Sequence, residues 1–200
     1  MGIAFFDLEV KYMCEELDPE ILAIKGLERK TKEETLIPKQ GLATACIITD
    51  GSKPKTFFFD EGKEKGLLDA LDAYNQVIGH NVLHFDYPVL STHFRGDVVN
   101  HFKPKTLDTF EALKIQTNGQ WIGLNDLAQL NLGKKKTENS KEIPGMWRAG
   151  KKELVRKYCE NDVKLLKEIY YHGKEYGKLK YTKKHFGTVL GIEEVTTPWQ

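Results

Sequence analysis

Six residues near the start of the sequence, Phe5-Phe6-Asp7-Leu8-Glu9-Val10, set two carboxylates inside an otherwise apolar run. Side chains alternate faces along a strand, so Asp7 and Glu9 point the same way with Cα atoms about 6 to 7 Å apart, while Phe6, Leu8 and Val10 point into a core. Desolvating two like charges without partners is costly or drives protons onto them. Such a strand needs a cation, a bound metal or a solvent-facing surface beside its acidic face. These six residues alone leave all three open.

The remaining sequence tells where that strand sits. Residues 11–40 are charged and weakly periodic, punctuated by Pro19 and Pro38, and read as an excursion with a short helix over Ile21–Arg29. GLATACIITDG (41–51) reads as a buried strand closed by an Asp50-Gly51 turn, and PKTFFFD (54–60) as its hairpin partner. The period then changes. Leu67, Leu68, Leu71 and Tyr74 recur at helical spacing within 64–74, followed by a short strand over 76–81 and a second helix opening at FDYPVLSTHF. KTLDTFEALK (105–114) reads as strand into helix with Asp108 or Thr109 at the cap. LNDLAQLNLG (124–133) predicts a helix with Asn125 as N-cap and Gly133 as its stop, and 151–177 predicts the longest helix. The order is that of an α/β fold: a mixed central sheet with three leading antiparallel strands, flanked by helices.

Two hundred residues with 40% hydrophobic content suffice for one domain, taken as residues 1–200, with 11–40 as a charged insert and 178–200 as a closing hairpin. A net charge of +1 gives no global basic field, yet local segregation leaves nucleic acid open as a partner. Cys14, Cys46 and Cys159 are widely spaced, odd in number and free of any CxxC pairing, so they read as reduced thiols. Asp7 falls where an export signal would have to be apolar, and no run approaches the roughly 18 apolar residues of a membrane span. A cytoplasmic location without membrane partners is expected.

Two further segments carry acidic groups. In IGHNVLHFDYP (78–88) the strand ends near Asn81, and Asp86 opens the next helix at the kind of strand end where open α/β sheets bind ligands. An ordinary helix N-cap is the other reading of Asp86. In YCEND (158–162), Tyr158 and Asp162 stand at i and i+4 on one helix face, about 6 Å apart along the axis. Taken alone, that pair also fits an amphipathic helix with a solvated rim.

Together, FFDLEV, IGHNVLHFD and YCEND resemble the three ordered motifs of the DEDD superfamily of 3′-to-5′ exonucleases, in the branch whose third motif carries tyrosine. The Asn-x4-Asp and YC-x2-D spacings look most like the exonuclease domain of family B DNA polymerases, and more closely still like its small stand-alone, YprB-like relatives. TLDTFEAL, LNDLAQLNLGKKK, MWRAGKKELVRKYCENDV and the EYGKLKY segment extend the resemblance over most of the sequence, and the insert at 11–40 departs from it.

The resemblance implies a ribonuclease H-like fold and hydrolysis of phosphodiester bonds at single-stranded DNA or RNA 3′ ends, with release of nucleoside 5′-monophosphates. It implies a catalytic set of Asp7, Glu9, Asp86, Tyr158 and Asp162, and substrate contacts at Leu8, Asn81 and Phe85. Four carboxylates (Asp7, Glu9, Asp86, Asp162) would be neutralised by two divalent ions, and hard oxygen ligands select Mg²⁺ or Mn²⁺. In the two-metal scheme the ions lie roughly 3.5 to 4 Å apart, one activating a water and one stabilising the leaving oxygen. By resemblance Asp7 bridges both, Glu9 and Asp162 hold the water-activating ion, and Asp86 acts mainly through the second. A phenol with a pKa near 10 is a poor base at neutral pH, so Tyr158 is expected to orient the water. A polymerase, a helicase or a defence system is the expected class of protein partner; the oligomeric state is open. A binding module that keeps the fold without turnover, and a ribonuclease H-type endonuclease, are the alternatives.

Other residues carry weaker signals. Asp108 reads as a helix cap or a support for the site. His80, His84 and His172 lack metal-ligand spacing and read as structural or surface groups. Lys134–Lys136, Lys151–Lys152 and the lysines of 178–184 fit either a phosphate track or a solvated face. Phe85, Tyr87, Trp121 and Trp147 fit either base stacking or a core.

Overall fold

A computed structural model describes residues 2–17, 23, 35–59, 66–135 and 140–199. Five strands form the central sheet: β1 (Ile3–Val10), β2 (Leu42–Thr49), β3 (Lys55–Phe58), β4 (Gln76–Gly79) and β5 (Thr106–Asp108). Their spatial order is β3-β2-β1-β4-β5, with β1–β2 and β2–β3 antiparallel and β1–β4 and β4–β5 parallel. This is the ribonuclease H-like α/β arrangement, with the acidic strand at its centre. The described helices are α1 (Cys14–Leu17), α2 (Leu67–Asp72), α3 (Asp86–Phe94), α4 (Val98–Phe102), α5 (Thr109–Gln116), α6 (Leu124–Leu132), α7 (Ile143–Arg148) and α8 (Lys152–Tyr176). None is long and apolar enough to cross a membrane.

Alternation along β1 divides the interior into two layers. Ala4, Phe6, Leu8 and Val10 pack with Leu67, Leu71, Tyr87 and Leu90 of α2 and α3. Phe5, on the opposite face, packs with Cys159, Val163, Leu166 and Ile169 of α8. Asp7 and Glu9 share the face of Phe5, so the strand turns its carboxylates toward the long helix.

Both ends of the 11–40 insert are zipped together where they leave the sheet. Lys11 N donates to Gly41 O at 2.8 Å and Tyr12 N to Gln40 O at 3.0 Å. Arg148 at the end of α7 clamps this segment, donating to Lys11 O at 2.6 Å and pairing with Glu16. The helix expected over Ile21–Arg29 lies outside the described residues, Ala23 excepted. Pro144 starts α7 where a missing N–H is harmless, and Ile143 and Trp147 bury against Ala43, Val155 and Tyr158.

Strands β6 (Lys178–His185) and β7 (Thr188–Thr196) form a separate antiparallel hairpin. Side chains substitute for a third strand along the outer edge of β6. Asn131 Oδ1 accepts from Lys180 N at 2.8 Å, Asp126 Oδ2 from Thr182 N at 2.8 Å, and Gln120 Oε1 from Lys184 N at 3.0 Å. The residues after β7 close over α8: Trp199 Nε1 donates to Tyr170 O at 3.2 Å, and a Cβ on Gly173 would lie 2.8 Å from Thr197 Cγ2.

Two local expectations are corrected. The N-cap of α6 is Gly123, not Asn125, which lies inside the first turn. Helices α1, α4 and α7 were not foreseen, being only four, five and six residues long. Gly133 does stop α6, in the left-handed region at φ 65° that glycine adopts without strain.

Candidate active site

Parallel pairing of β1 with β4 runs only from Ile3 to Phe5, so the second half of β1 projects past the end of β4. The gap is filled by the turn 80–85 and the start of α3. Phe85 occupies the cap position of that helix and Asp86 is its first residue. Asp86 Oδ1 accepts the Leu8 N–H at 3.1 Å, between the two acidic positions of β1.

The turn that delivers Asp86 is tightly specified. Gly79 ends β4 where a Cβ would sit 2.1 Å from Val82 Cγ1, so the chain can double back only because that side chain is absent. Asn81 follows with φ 70°, a left-handed conformation that asparagine tolerates better than most residues. Its carbonyl accepts from Phe85 N at 3.0 Å. Asp108, at the end of β5, then straps the turn down: Oδ1 accepts from Asn81 N at 2.8 Å and Oδ2 from Leu83 N at 3.0 Å. The same carboxylate caps α5 by accepting from Phe110 N and Glu111 N. Asp108 is thus both the helix cap and the support expected of it, and its hold on residues 81 and 83 is what pattern reading could not supply.

From the other side, α8 lays Tyr158, Cys159 and Asp162 over the acidic face of β1. Tyr158 and Asp162 are each 2% exposed, Asp86 is 2% exposed and Glu9 9%. Asp7, Glu9 and Cys159 each offer an atom within 4.8 Å of the others, the one such trio among the described residues. Asp86 and Asp162 complete no second trio at that spacing.

The charge environment links all of these groups. Burial pushes the Asp86 carboxyl well above the usual range, reinforced by Asp7 and Asp108. Burial also raises the Tyr158 phenol, reinforced by Asp162, Glu9 and Asp7. The Cys159 thiol is raised by burial and then by Asp7, Glu9, Cys46 and Asp162. It stays protonated and lies 3.6 Å from the Asp7 carbonyl, donating weakly to it. Of the trio, Asp7 and Glu9 offer carboxylate oxygen, the donor type that suits a hard divalent ion.

Several sequence candidates are placed elsewhere. The Leu8 side chain is buried in the opposite layer, so only its backbone reaches the site. Phe85 is partly buried against that same layer, and Asn81 is half-buried. Tyr87 is fully buried, with its hydroxyl 2.8 Å from Thr106 Oγ1, and Trp147 is buried against Phe58. Neither can stack on a base. Trp121, by contrast, is 70% exposed. His80 is held between Thr109 Oγ1 at 2.9 Å and Ile122 O at 3.0 Å, His84 pairs with Glu111, and His172 lies on the Tyr176 ring. Lys134, Lys178 and Lys183 pair with Glu168, Glu194 and Glu193, and Lys152 Nζ lies over Trp147, while Lys136 lies outside the described residues.

No family model and no curated protein matches the sequence. Among solved structures, the family B DNA polymerase from the hyperthermophilic archaeon Pyrobaculum calidifontis is similar, with a TM-score of 0.55 and 12% identity over 86% of this chain. The chain spans only 24% of that polymerase chain. At this identity the likeness is one of fold.

Proposed function

We propose that this chain is a metal-dependent 3′-to-5′ exonuclease acting on single-stranded DNA or RNA ends. The observation that carries the reading is the meeting of Asp7 and Glu9, from the central strand, with Tyr158 and Asp162, from the long helix, beside a buried Asp86. Asp7, Glu9, Asp86 and Asp162 would hold two magnesium or manganese ions. Once bound, these supply Lewis-acid activation of the nucleophile and of the leaving group.

The residues of the chain do the rest. Tyr158 keeps its proton across the neutral range, since burial and three carboxylates oppose its loss, so it orients a water by hydrogen bonding and does not deprotonate it. Asp108 fixes the 81–85 turn, and with it the approach of Asn81 and Asp86 to a strand end. Water adds to the terminal phosphorus, the P–O3′ bond breaks, and the departing 3′ oxygen takes a proton. The products are a nucleoside 5′-monophosphate and a strand one residue shorter.

The test is incubation of end-labelled oligonucleotides with Mn²⁺, comparing native protein with Asp7→Ala. Stepwise shortening by the native protein alone is the expected result. Cleavage of a circular single strand would redirect the assignment to an endonuclease, and binding without shortening would redirect it to a binding module.

A further inference from the structure

Of the tryptophans, Trp147 and Trp199 are each 6% exposed, whereas Trp121 is 70% exposed. An exposed indole is informative when its backbone is pinned, and here it is. Ile122, the next residue, is buried, and its carbonyl lies 3.0 Å from His80 Nε2. The Trp121 ring meets the buried Phe110 edge-on with centroids 4.6 Å apart. The ring is therefore held at one edge with much of its surface open to water, an arrangement that loses little conformational freedom when a planar group stacks on it.

Its position matters as much as its exposure. Strands β1, β4 and β5 are parallel, so their C-terminal ends share one edge of the sheet. Asp7 and Glu9 lie toward that end of β1, His80 follows β4, and Phe110 follows β5 by two residues. Trp121, resting on Phe110 and anchored through His80, stands on the same edge as the carboxylate cluster. Its packing partner Phe110 also meets a cation. Lys114 Nζ lies 5.6 Å from the Phe110 ring centroid, with Glu111 at 4.0 Å as a long ion pair. Gln120, the residue before Trp121, accepts from Lys184 N and joins this corner to the hairpin, where Lys184 and His185 are exposed.

We infer that Trp121 is a stacking platform for the bases of a single nucleic-acid strand, with Lys114 and Lys184 attending its phosphates. That the 3′ end of this strand enters the carboxylate cluster rests on the exonuclease reading. The platform itself does not.

The experiment separates the two. Native protein in EDTA, where no turnover occurs, is titrated with oligothymidylate while tryptophan emission is followed. Because Trp147 and Trp199 are buried, the quenching belongs to Trp121 and vanishes in Trp121→Ala. Anisotropy of a 5′-labelled strand then shows binding weakened about tenfold in Trp121→Ala, the order of one lost base stack, and largely restored in Trp121→Phe. Both variants melt with the native protein. With Mn²⁺, Trp121→Ala raises KM for the long strand. Equal binding of the long strand by native protein and Trp121→Ala overturns the platform, even if cleavage is observed. Trp121-dependent binding without any shortening upholds the platform and sinks the exonuclease reading.

Discussion

The Leu8 backbone N–H donates to Asp86 Oδ1 at 3.1 Å, joining the strand that carries Asp7 and Glu9 to the helix that Asp86 begins. A sheet donor left over where β4 stops short thus places a carboxyl group beside two others. The arrangement keeps Asp86 buried and favours its protonated form.

Stability should therefore depend on pH through Asp86. Its folded pKa is raised above the unfolded value near 3.8, so its contribution is fully present below that value and is lost as pH rises through the folded pKa. In EDTA the native melting temperature should fall as pH rises above about 4, and Asp86→Asn, which still accepts from Leu8, should flatten that fall. A native protein whose melting temperature rises across this range would contradict the assignment.

Divalent cations should reverse the penalty. With Mn²⁺ at about 100 Kd, linkage gives about 2.7 kcal/mol, or roughly 5 to 10 °C for a chain of this size. Asp7→Ala should lose most of the rise. Differential scanning fluorimetry with and without cation measures it, and identical curves would count against a cation site.

Asp108→Ala should be among the most destabilising single changes at this edge. It strands four backbone N–H donors, those of Asn81, Leu83, Phe110 and Glu111, and removes the cap of α5. A loss of about 3 kcal/mol or more is expected in urea denaturation. The cation-induced melting shift should shrink as well, because the turn that delivers Asp86 is freed.

Tyr158→Phe isolates the hydroxyl. The ring stays packed against Trp147 and Val155, so melting should change little, while cleavage falls about 10²-fold through loss of positioning. The native pH–rate profile should show no limb from tyrosine ionisation, since the phenol is pushed upward. A Tyr158→Phe protein with native rates would exclude the role.

The three leading antiparallel strands and the acidic face of β1 were legible because period-two alternation is local and Asp7 and Glu9 sit in one strand. Tyr158 and Asp162 were legible as a pair for the same reason, through helical spacing. The second half of Asp108's role was not, because residues 81 and 83 come to it only through the parallel pairing of Gly79 with Asp108. Nor was the sorting of the aromatics. Tyr87, Trp147 and Trp121 look alike in composition, and only tertiary packing buries the first two and leaves the third in water.

Cys159 Sγ and the Asp7 carbonyl meet across 152 positions of sequence. Contacts that distant slow a folding search, because the intervening loop must be closed before they form, whereas α8 and the β2–β3 hairpin can form from near neighbours. During refolding the mutual repulsion of the carboxylates is then deferred until the helix docks on the sheet. Added Mn²⁺ should leave an early helix-forming phase seen by circular dichroism unaltered and slow unfolding instead, and a cation-accelerated first phase would show that the charges gather earlier.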